Sequence, residues 1–226
     1  MVHIAEGTGV DVRERTEADE VYAQLKQQIA ALQLRPEATY READLQDQFG
    51  VGRGALREAL YRLQYERMLQ IYPRQGIRIA TLSVSDMREM YEVRLALETA
   101  VASMAAQRHT DSERAELEAL AAEVRSGQTS EDQVRYNASH RQFHLLIARC
   151  ARNRSLEQYI EHSLTLNHWL WNLYDETRMD PTSNRSERFH GHDELVAAIT
   201  SRNPAVASEA MHEHIIRAKE RLLAGL

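Results

Sequence analysis

Nine of the ten histidines in this chain of 226 residues lie after residue 83, where the sequence pattern is helical. Residues three, four and seven positions apart share one face of an α-helix. By that spacing, four of these histidines fall on the same faces as apolar residues, and we expect them to point into the protein interior: His140, His144, His192 and His214.

Four inward imidazoles need an explanation, because each buried ring nitrogen requires a hydrogen-bonding partner. A single inward histidine is usually an ordinary core residue. Four of them need more hydrogen-bonding partners than the few other inward polar side chains could supply. A shared metal ion would satisfy all of them, and two histidines four residues apart form a natural pair of ligands. An all-imidazole set favours zinc, nickel or copper over magnesium or calcium. The sequence therefore predicts one divalent transition metal per chain, bound by His140, His144, His192 and His214.

Arg94 lies on the inward face of the first helix predicted after residue 83, four residues before Glu98. Oppositely charged side chains at this spacing commonly form an ion pair. Glu98 is also the only inward acid that could act as a general base in a metal-dependent hydrolase or lyase. Pairing with Arg94 would leave it poorly suited to that role, so an enzyme is the weaker alternative.

A second concentration of charge lies between Gly50 and Ala80, which contains six arginines and two glutamates in a chain whose overall net charge is −6. Arg53 and Arg57 are four residues apart at the start of a predicted helix, and arginine can donate two hydrogen bonds to a guanine edge. Arg74, Gln75 and Gly76 follow Pro73 in a predicted hairpin turn. This segment therefore predicts binding to double-stranded DNA through Arg53, Arg57, Arg74, Gln75 and Gly76.

The order of the predicted elements supports this interpretation. Residues 1–16 show no periodicity and are predicted to form a mobile arm. Residues 17–82 contain three helices and a small β-hairpin, the plan of a winged helix-turn-helix. Residues 83–226 are predicted to form an antiparallel bundle of six or seven helices. Six of these are apparent in the pattern, at 84–107, 111–126, 131–150, 153–176, 186–201 and 204–224.

Bulk composition limits the class of protein. Hydrophobic residues make up 43% and charged residues 27% of the chain, and Cys150 is its only cysteine. The sequence contains neither a long apolar run nor a signal pattern at its start, so we expect a cytoplasmic protein with no membrane partner.

The motifs of the basic segment resemble those of the GntR family of transcriptional regulators. The resemblance is found in two stretches, Val51-Gly-Arg-Gly-Ala-Leu-Arg-Glu-Ala-Leu and Pro73-Arg-Gln-Gly-Ile-Arg-Ile. The resemblance implies that Arg53 and Arg57 read bases and that Gly76 lies at the tip of the wing. Gly52 stands where the family usually has serine, and Arg67 where it usually has glycine.

The helical part resembles the FCD effector domain of the FadR-like branch of that family, through Phe143-His144, His192 and Met211-x-x-His214. His140 occupies the position of the family's aspartate. The resemblance implies zinc as the metal, with nickel or manganese as alternatives. It further implies that Arg94 holds a small organic acid over the metal.

Together these features predict a homodimeric repressor that binds an inverted-repeat operator and responds to a small carboxylate. Two alternatives remain open from the residues alone. One is a metal-dependent hydrolase or lyase in the helical domain. The other is a constitutive DNA-binding protein whose metal is structural, which four imidazole ligands in a closed shell would favour.

Overall fold

The computed structural model describes residues 15–127, 133–177 and 191–224, and the chain forms two compact units. The first unit ends at Thr81 and the second begins at Leu82, except that Ala30–Gln33 groups with the second. The predicted N-terminal arm lies outside the described residues as far as residue 14.

The first unit contains α1 (Glu17–Ala30), α2 (Glu42–Phe49) and α3 (Arg53–Tyr65). The apolar positions of α1 recur every four residues, and Val21, Leu25 and Ile29 are each at most 2% exposed. Gly50 ends α2 with φ of 64°, a left-handed conformation in which glycine avoids the steric cost of a side chain. This tight turn allows α3 to follow α2 in the helix-turn-helix arrangement.

A three-stranded antiparallel sheet completes the first unit, with β1 (Thr39–Tyr40), β2 (Leu69–Tyr72) and β3 (Gly76–Ile79) in the order β1-β3-β2. Strands β2 and β3 form the predicted hairpin. Strand β1 is not predicted by the sequence, because two residues are too few to show an alternating pattern. The prediction of a mainly helical fold with an N-terminal winged helix-turn-helix and a helical C-terminal domain is confirmed.

Six helices form the described part of the second unit. They are α4 (Val84–Arg108), α5 (Asp111–Gly127), α6 (Gln133–Cys150), α7 (Arg154–Thr177), α8 (His192–Thr200) and α9 (Pro204–Leu223). The ends agree with the sequence prediction to within two residues, except at the start of α8. That helix was expected from residue 186, and residues 178–190 lie outside the described part of the chain.

Helix α4 is the central element of the second unit, because it packs against α6, α7, α8 and α9. Its start is fixed by a capping box, in which the Ser83 hydroxyl accepts from the Asp86 amide and the Asp86 carboxylate accepts from the Ser83 amide. Polar side chains on its inward face therefore meet residues from several other helices. Within the described ranges, no helix combines the length and apolar character that crossing a bilayer requires.

In the wing, which is the hairpin of β2 and β3, we expect a clear stability effect of substituting Gly76. This residue has φ of +114°, and a Cβ added there would lie 2.5 Å from the backbone oxygen of Tyr40. We expect Gly76→Ala to destabilise the sheet by about 2–4 kcal/mol, because both the backbone conformation and the close strand approach exclude a side chain. Hydrogen–deuterium exchange of the full chain should show faster exchange in peptides covering β1 and β3.

Gly54→Ala is the matched control, because no heavy atom lies within 4 Å of its added Cβ and the residue is helical. It should be neutral or stabilising by up to about 1 kcal/mol. Both tryptophans, Trp169 and Trp171, belong to the second unit, so unfolding followed by their fluorescence should be the same in both variants. Equal exchange in the two variants would contradict this account of Gly76.

Candidate functional site

The four predicted histidines come together from three helices of the second unit. His140 and His144 lie one turn apart on α6, His192 is the first residue of α8, and His214 lies on α9. One potential ligand atom from each histidine lies within 4.8 Å of those of the other three. His144 and His192 are buried, and His140 and His214 are partly buried.

The imidazole rings are packed against one another. The ring centroid of His144 lies 4.7 Å from that of His140 and 5.2 Å from that of His214. The centroid of His192 lies 4.9 Å from that of His214. Gly191 precedes α8 with φ of +105°, and a Cβ there would lie 3.6 Å from His214 Nδ1. A glycine at this point lets the chain enter α8 beside the cluster.

The polar atoms of this cluster fit a transition metal ion. Among the described residues, His144 Nε2 and His214 Nδ1 are buried without a hydrogen-bond partner. Leaving such an atom unsatisfied costs about 1–3 kcal/mol. Zinc–nitrogen bonds of about 2.0–2.1 Å in a tetrahedron place the nitrogens about 3.4 Å apart. The separations here are at most 4.8 Å, so none would have to shorten by more than about 1.4 Å.

Electrostatics also suit these rings to a cation. Burial, followed by the neighbouring histidines, lowers the pKa of His140 well below its usual value. The pKa of His214 is lowered in the same way, by burial and then by His192 and His144. Both rings are therefore neutral near pH 7 and carry a nitrogen lone pair, as metal ligation requires.

A buried ion pair lies beside the cluster. Arg94 Nε donates to Glu98 Oε1 at 2.6 Å, and both side chains are 2% exposed. Arg94 Nη1 donates to Asn167 Oδ1 on α7 at 2.8 Å, and the Tyr91 hydroxyl donates to the same oxygen at 3.3 Å. The expected pairing of Arg94 with Glu98 is present, and the effector role of Arg94 stays a prediction.

Glu98 also reaches the histidines, a contact that sequence reasoning missed. Its Oε2 lies 3.2 Å from His144 Nδ1. Burial by itself would raise the pKa of Glu98, but Arg94 and then His144 outweigh burial and lower it to about 2. Glu98 is therefore an ionised carboxylate between a guanidinium and an imidazole.

The second group of predicted residues lies on α3 and in the wing. Arg53 and Arg57 are exposed at the start of α3, with 67% and 46% of their side chains accessible. Arg74 and Gln75 are exposed in the turn between β2 and β3, and Gly76 is the first residue of β3 rather than part of the turn. Gly52 caps α3 without a side-chain hydrogen bond.

Glu42, at the start of α2, is a second residue that sequence reasoning missed. Arg57 Nε donates to Glu42 Oε1 at 2.7 Å and its Nη2 to Oε2 at 3.2 Å, while Arg53 Nε donates to Oε1 at 3.2 Å. The hydrogen bonds from Arg57, supported by Arg53, lower the pKa of Glu42 and outweigh partial burial, which would raise it. One carboxylate thus orients both arginines that the sequence singles out for reading bases.

Two aromatic residues extend the same face of α3. Tyr61 and Tyr65 follow Arg53 and Arg57 at intervals of four residues, and they are 59% and 91% exposed. Tyrosine hydroxyls contact phosphates in protein–DNA interfaces. The four-residue spacing was visible in the sequence and could have identified them.

Comparison with known proteins gives two family matches. Residues 89–217 match the FCD domain, and residues 17–79 match the family described as bacterial regulatory proteins, gntR family. The first match alone covers more than half of the chain.

Individual relatives agree with these matches. The chain is 26% identical over 202 residues to the HTH-type transcriptional repressor GlaR of Escherichia coli strain K12, covering 86% of this chain and 90% of that protein. It is 24% identical over 197 residues to the HTH-type transcriptional regulator LutR of Bacillus subtilis strain 168, covering 79% and 88%.

A solved structure, that of E. coli McbR/YncC, matches with a TM-score of 0.79 at 22% identity, covering 93% of this chain and 99% of the other. That identity establishes the fold alone. All of the curated relatives named above are transcriptional regulators and not enzymes.

The contacts of Glu42 generate a prediction about base discrimination. We expect Glu42→Gln to tighten binding to a shuffled duplex, because one negative charge is removed near the DNA phosphates. The ratio of the affinities for the operator and the shuffled duplex should fall several-fold, because the two arginines lose a partner worth up to about 1 kcal/mol at an exposed position. Fluorescence anisotropy with operator and shuffled duplexes at several salt concentrations measures both effects.

Asp44→Asn is the control, because Asp44 is an exposed acid in the same first turn of α2. It changes the net charge equally, and it should tighten both duplexes without changing their ratio. Identical ratios for the two variants would show that Glu42 does not orient Arg53 and Arg57.

Proposed function

The chain belongs to the GntR family of bacterial transcriptional regulators and carries an FCD domain, and we propose that it is a homodimeric repressor controlled by a metal and a small carboxylate. The convergence of four imidazoles beside a buried arginine is the observation that carries the proposal. DNA binding follows from the family. The metal, the effector and the direction of regulation are the proposed parts.

The DNA-reading part of the proposal rests on α3 and the wing. Arg53 and Arg57 would enter the major groove, where the first residues of a recognition helix face base edges. Each could donate bidentate hydrogen bonds to a guanine. Arg74 and Gln75, exposed in the wing turn, would contact the backbone or a neighbouring groove. A two-fold dimer presents two such surfaces and therefore selects an inverted repeat.

The metal part of the proposal rests on His140, His144, His192 and His214. These residues would hold one divalent transition metal per chain, with zinc favoured over nickel or manganese. When bound, the metal would supply a Lewis-acidic centre that accepts a carboxylate oxygen. The neutral state of His140 and His214 and the unpartnered nitrogens of His144 and His214 support this assignment.

The effector part of the proposal rests on Arg94. Its guanidinium joins Glu98 on its own helix to Asn167 on α7. An organic acid that engaged Arg94 would compete with these partners and so change the packing of α4 against α7. A ligand that binds one such arrangement better than the other shifts the population toward it. This is the physical route by which a small carboxylate would alter affinity for DNA.

A structural metal in a constitutive DNA-binding protein is the second candidate. One observation favours it: the four imidazoles would fill a tetrahedral shell and leave no position for an effector oxygen. The two candidates differ in whether an organic acid changes operator affinity. An enzyme is set aside, because the family and its relatives are regulators.

His140 provides the test of the metal. Wild-type protein purified without chelator should contain about one transition metal per chain. His140→Asp should retain it, because a carboxylate oxygen also ligates zinc. His140→Leu should bind it more weakly, because only three ligands remain. Elemental analysis and competition with a chelator measure content and affinity, and equal affinities in all three proteins would make His140 a packed core residue.

The operator provides the test of repression. Selection from random duplexes should return an inverted repeat, and Arg53→Ala and Arg57→Ala should each lose about 1–3 kcal/mol of discrimination. Metal content and helical content should not change. Arg88→Ala, at an exposed position of α4, removes the same charge and should leave discrimination intact.

The same assay distinguishes the two candidates. Small mono-, di- and tricarboxylates are titrated into the complex of wild-type protein and DNA. If the protein is effector-controlled, at least one of these acids should release the DNA. Release by none would favour the structural metal. Failure to enrich any sequence, with and without added zinc and acids, would contradict the repressor itself.

A further inference from the structure

We infer that Glu98 is a positioning residue that fixes the tautomer of His144, so that its Nε2 faces the other histidines as a lone pair. The purpose of this role rests on the proposed function, because a fixed tautomer serves metal binding. Its geometry stands on the buried contacts of Arg94, Glu98 and His144 alone.

The two carboxylate oxygens of Glu98 have different partners. Oε1 accepts from Arg94 Nε at 2.6 Å, and Oε2 lies 3.2 Å from His144 Nδ1. An arginine side chain only donates, and an ionised carboxylate only accepts. In this structure Oε2 and Nδ1 are close but are not aligned as a hydrogen bond. The negative oxygen at this distance still favours a proton on Nδ1 over a lone pair, and only an Nδ1–H can donate to it.

A neutral imidazole has one N–H, so a proton on Nδ1 leaves Nε2 as an acceptor. In the described part of the chain, His144 Nε2 is buried and has no hydrogen-bond partner. The other tautomer would place an unsatisfied N–H there and would set the Nδ1 lone pair against Oε2. Glu98 thus selects the form of His144 that can ligate a cation through Nε2.

The position of Glu98 matches the known use of carboxylates behind metal-binding histidines. Such a carboxylate holds the ring orientation and raises the basicity of the ligand nitrogen, and its loss commonly lowers metal affinity about 10–100-fold. Arg94 holds the opposite oxygen and Asn167 holds Arg94, so Glu98 is anchored before any ligand arrives. The side chain is 2% exposed, so bulk solvent has little access to it.

Replacing Glu98 by glutamine tests the tautomer directly. Because Arg94 Nε must donate, the glutamine side chain would turn its carbonyl oxygen toward Arg94 and its NH₂ group toward His144. His144 Nδ1 would then accept, and the proton would move to Nε2, where it blocks ligation. Glu98→Asp keeps two acceptor oxygens and should retain the wild-type tautomer.

The experiment uses full-length, metal-free protein labelled with ¹⁵N at histidine. Two-bond ¹H–¹⁵N correlation spectra distinguish the tautomers, and a His144→Ala spectrum assigns the signals of His144. Wild type and Glu98→Asp should show the Nδ1–H form, and Glu98→Gln the Nε2–H form. Zinc affinity, measured by chelator competition, should fall about 10–100-fold in Glu98→Gln and less in Glu98→Asp.

Glu92→Gln is the matched control, because it makes the same change at an exposed position of α4. It should leave both the tautomer and zinc affinity as in wild type. An Nε2–H signal for His144 in metal-free wild type would overturn the inference, and this measurement needs no variant to fold. An unchanged tautomer in folded Glu98→Gln would also overturn it.

The outcome separates this inference from the proposed function. If His144 is in the Nδ1–H form but the wild type binds no zinc, the positioning role holds and the metal function fails. If zinc binds tightly while His144 is in the Nε2–H form, the metal function survives and the role of Glu98 fails.

Discussion

Two full charges lie inside the helical unit, and their burial constrains the residues around them. Arg94 and Glu98 are each 2% exposed and contact one another at 2.6 Å. A buried ion pair loses hydration worth on the order of several kcal/mol per ion, so it persists only where the remaining polar atoms also find partners. Asn167 on α7 accepts from the guanidinium, and His144 on α6 lies beside the carboxylate. Hydrogen bonds therefore join α4 to α7, and the same carboxylate lies close to an imidazole of α6.

The histidine cluster depends on these contacts. Four nitrogen atoms that converge within 4.8 Å repel one another if they all present lone pairs, and they leave protons unsatisfied if they do not. A cation removes both penalties. The internally neutral Arg94–Glu98 pair adds little net charge beside the cluster, whereas an unpaired arginine there would oppose a metal ion. The pairing thus makes the interior compatible with a positive ion at the position where α6, α8 and α9 meet.

The polar chemistry of the two units differs in exposure, and this difference suits their roles. Glu42 holds Arg53 and Arg57 at the protein surface, where water screens the charges and the contacts are weak. Arg94, by contrast, cannot leave Glu98 without exposing a buried charge to an apolar interior, so only a ligand that replaces the carboxylate can move it. In the proposed function, the surface pairs would serve the reading of DNA and the buried pair would serve the response to an effector.

The sequence by itself determined the local features of this protein. Helical periodicity placed His140, His144, His192 and His214 on inward faces, and the order of helices, turn and hairpin indicated the winged helix-turn-helix. Tertiary structure alone decided that Glu42 meets Arg53 and Arg57, that Glu98 lies against His144, and that a two-residue β1 joins the sheet. The physical reason is that periodicity fixes which face of a helix is buried, because burial of apolar surface repeats with the helical turn. It does not fix the rotation, depth or neighbour of that face, which result from packing all the helices at once, and a strand of two residues has no period to detect.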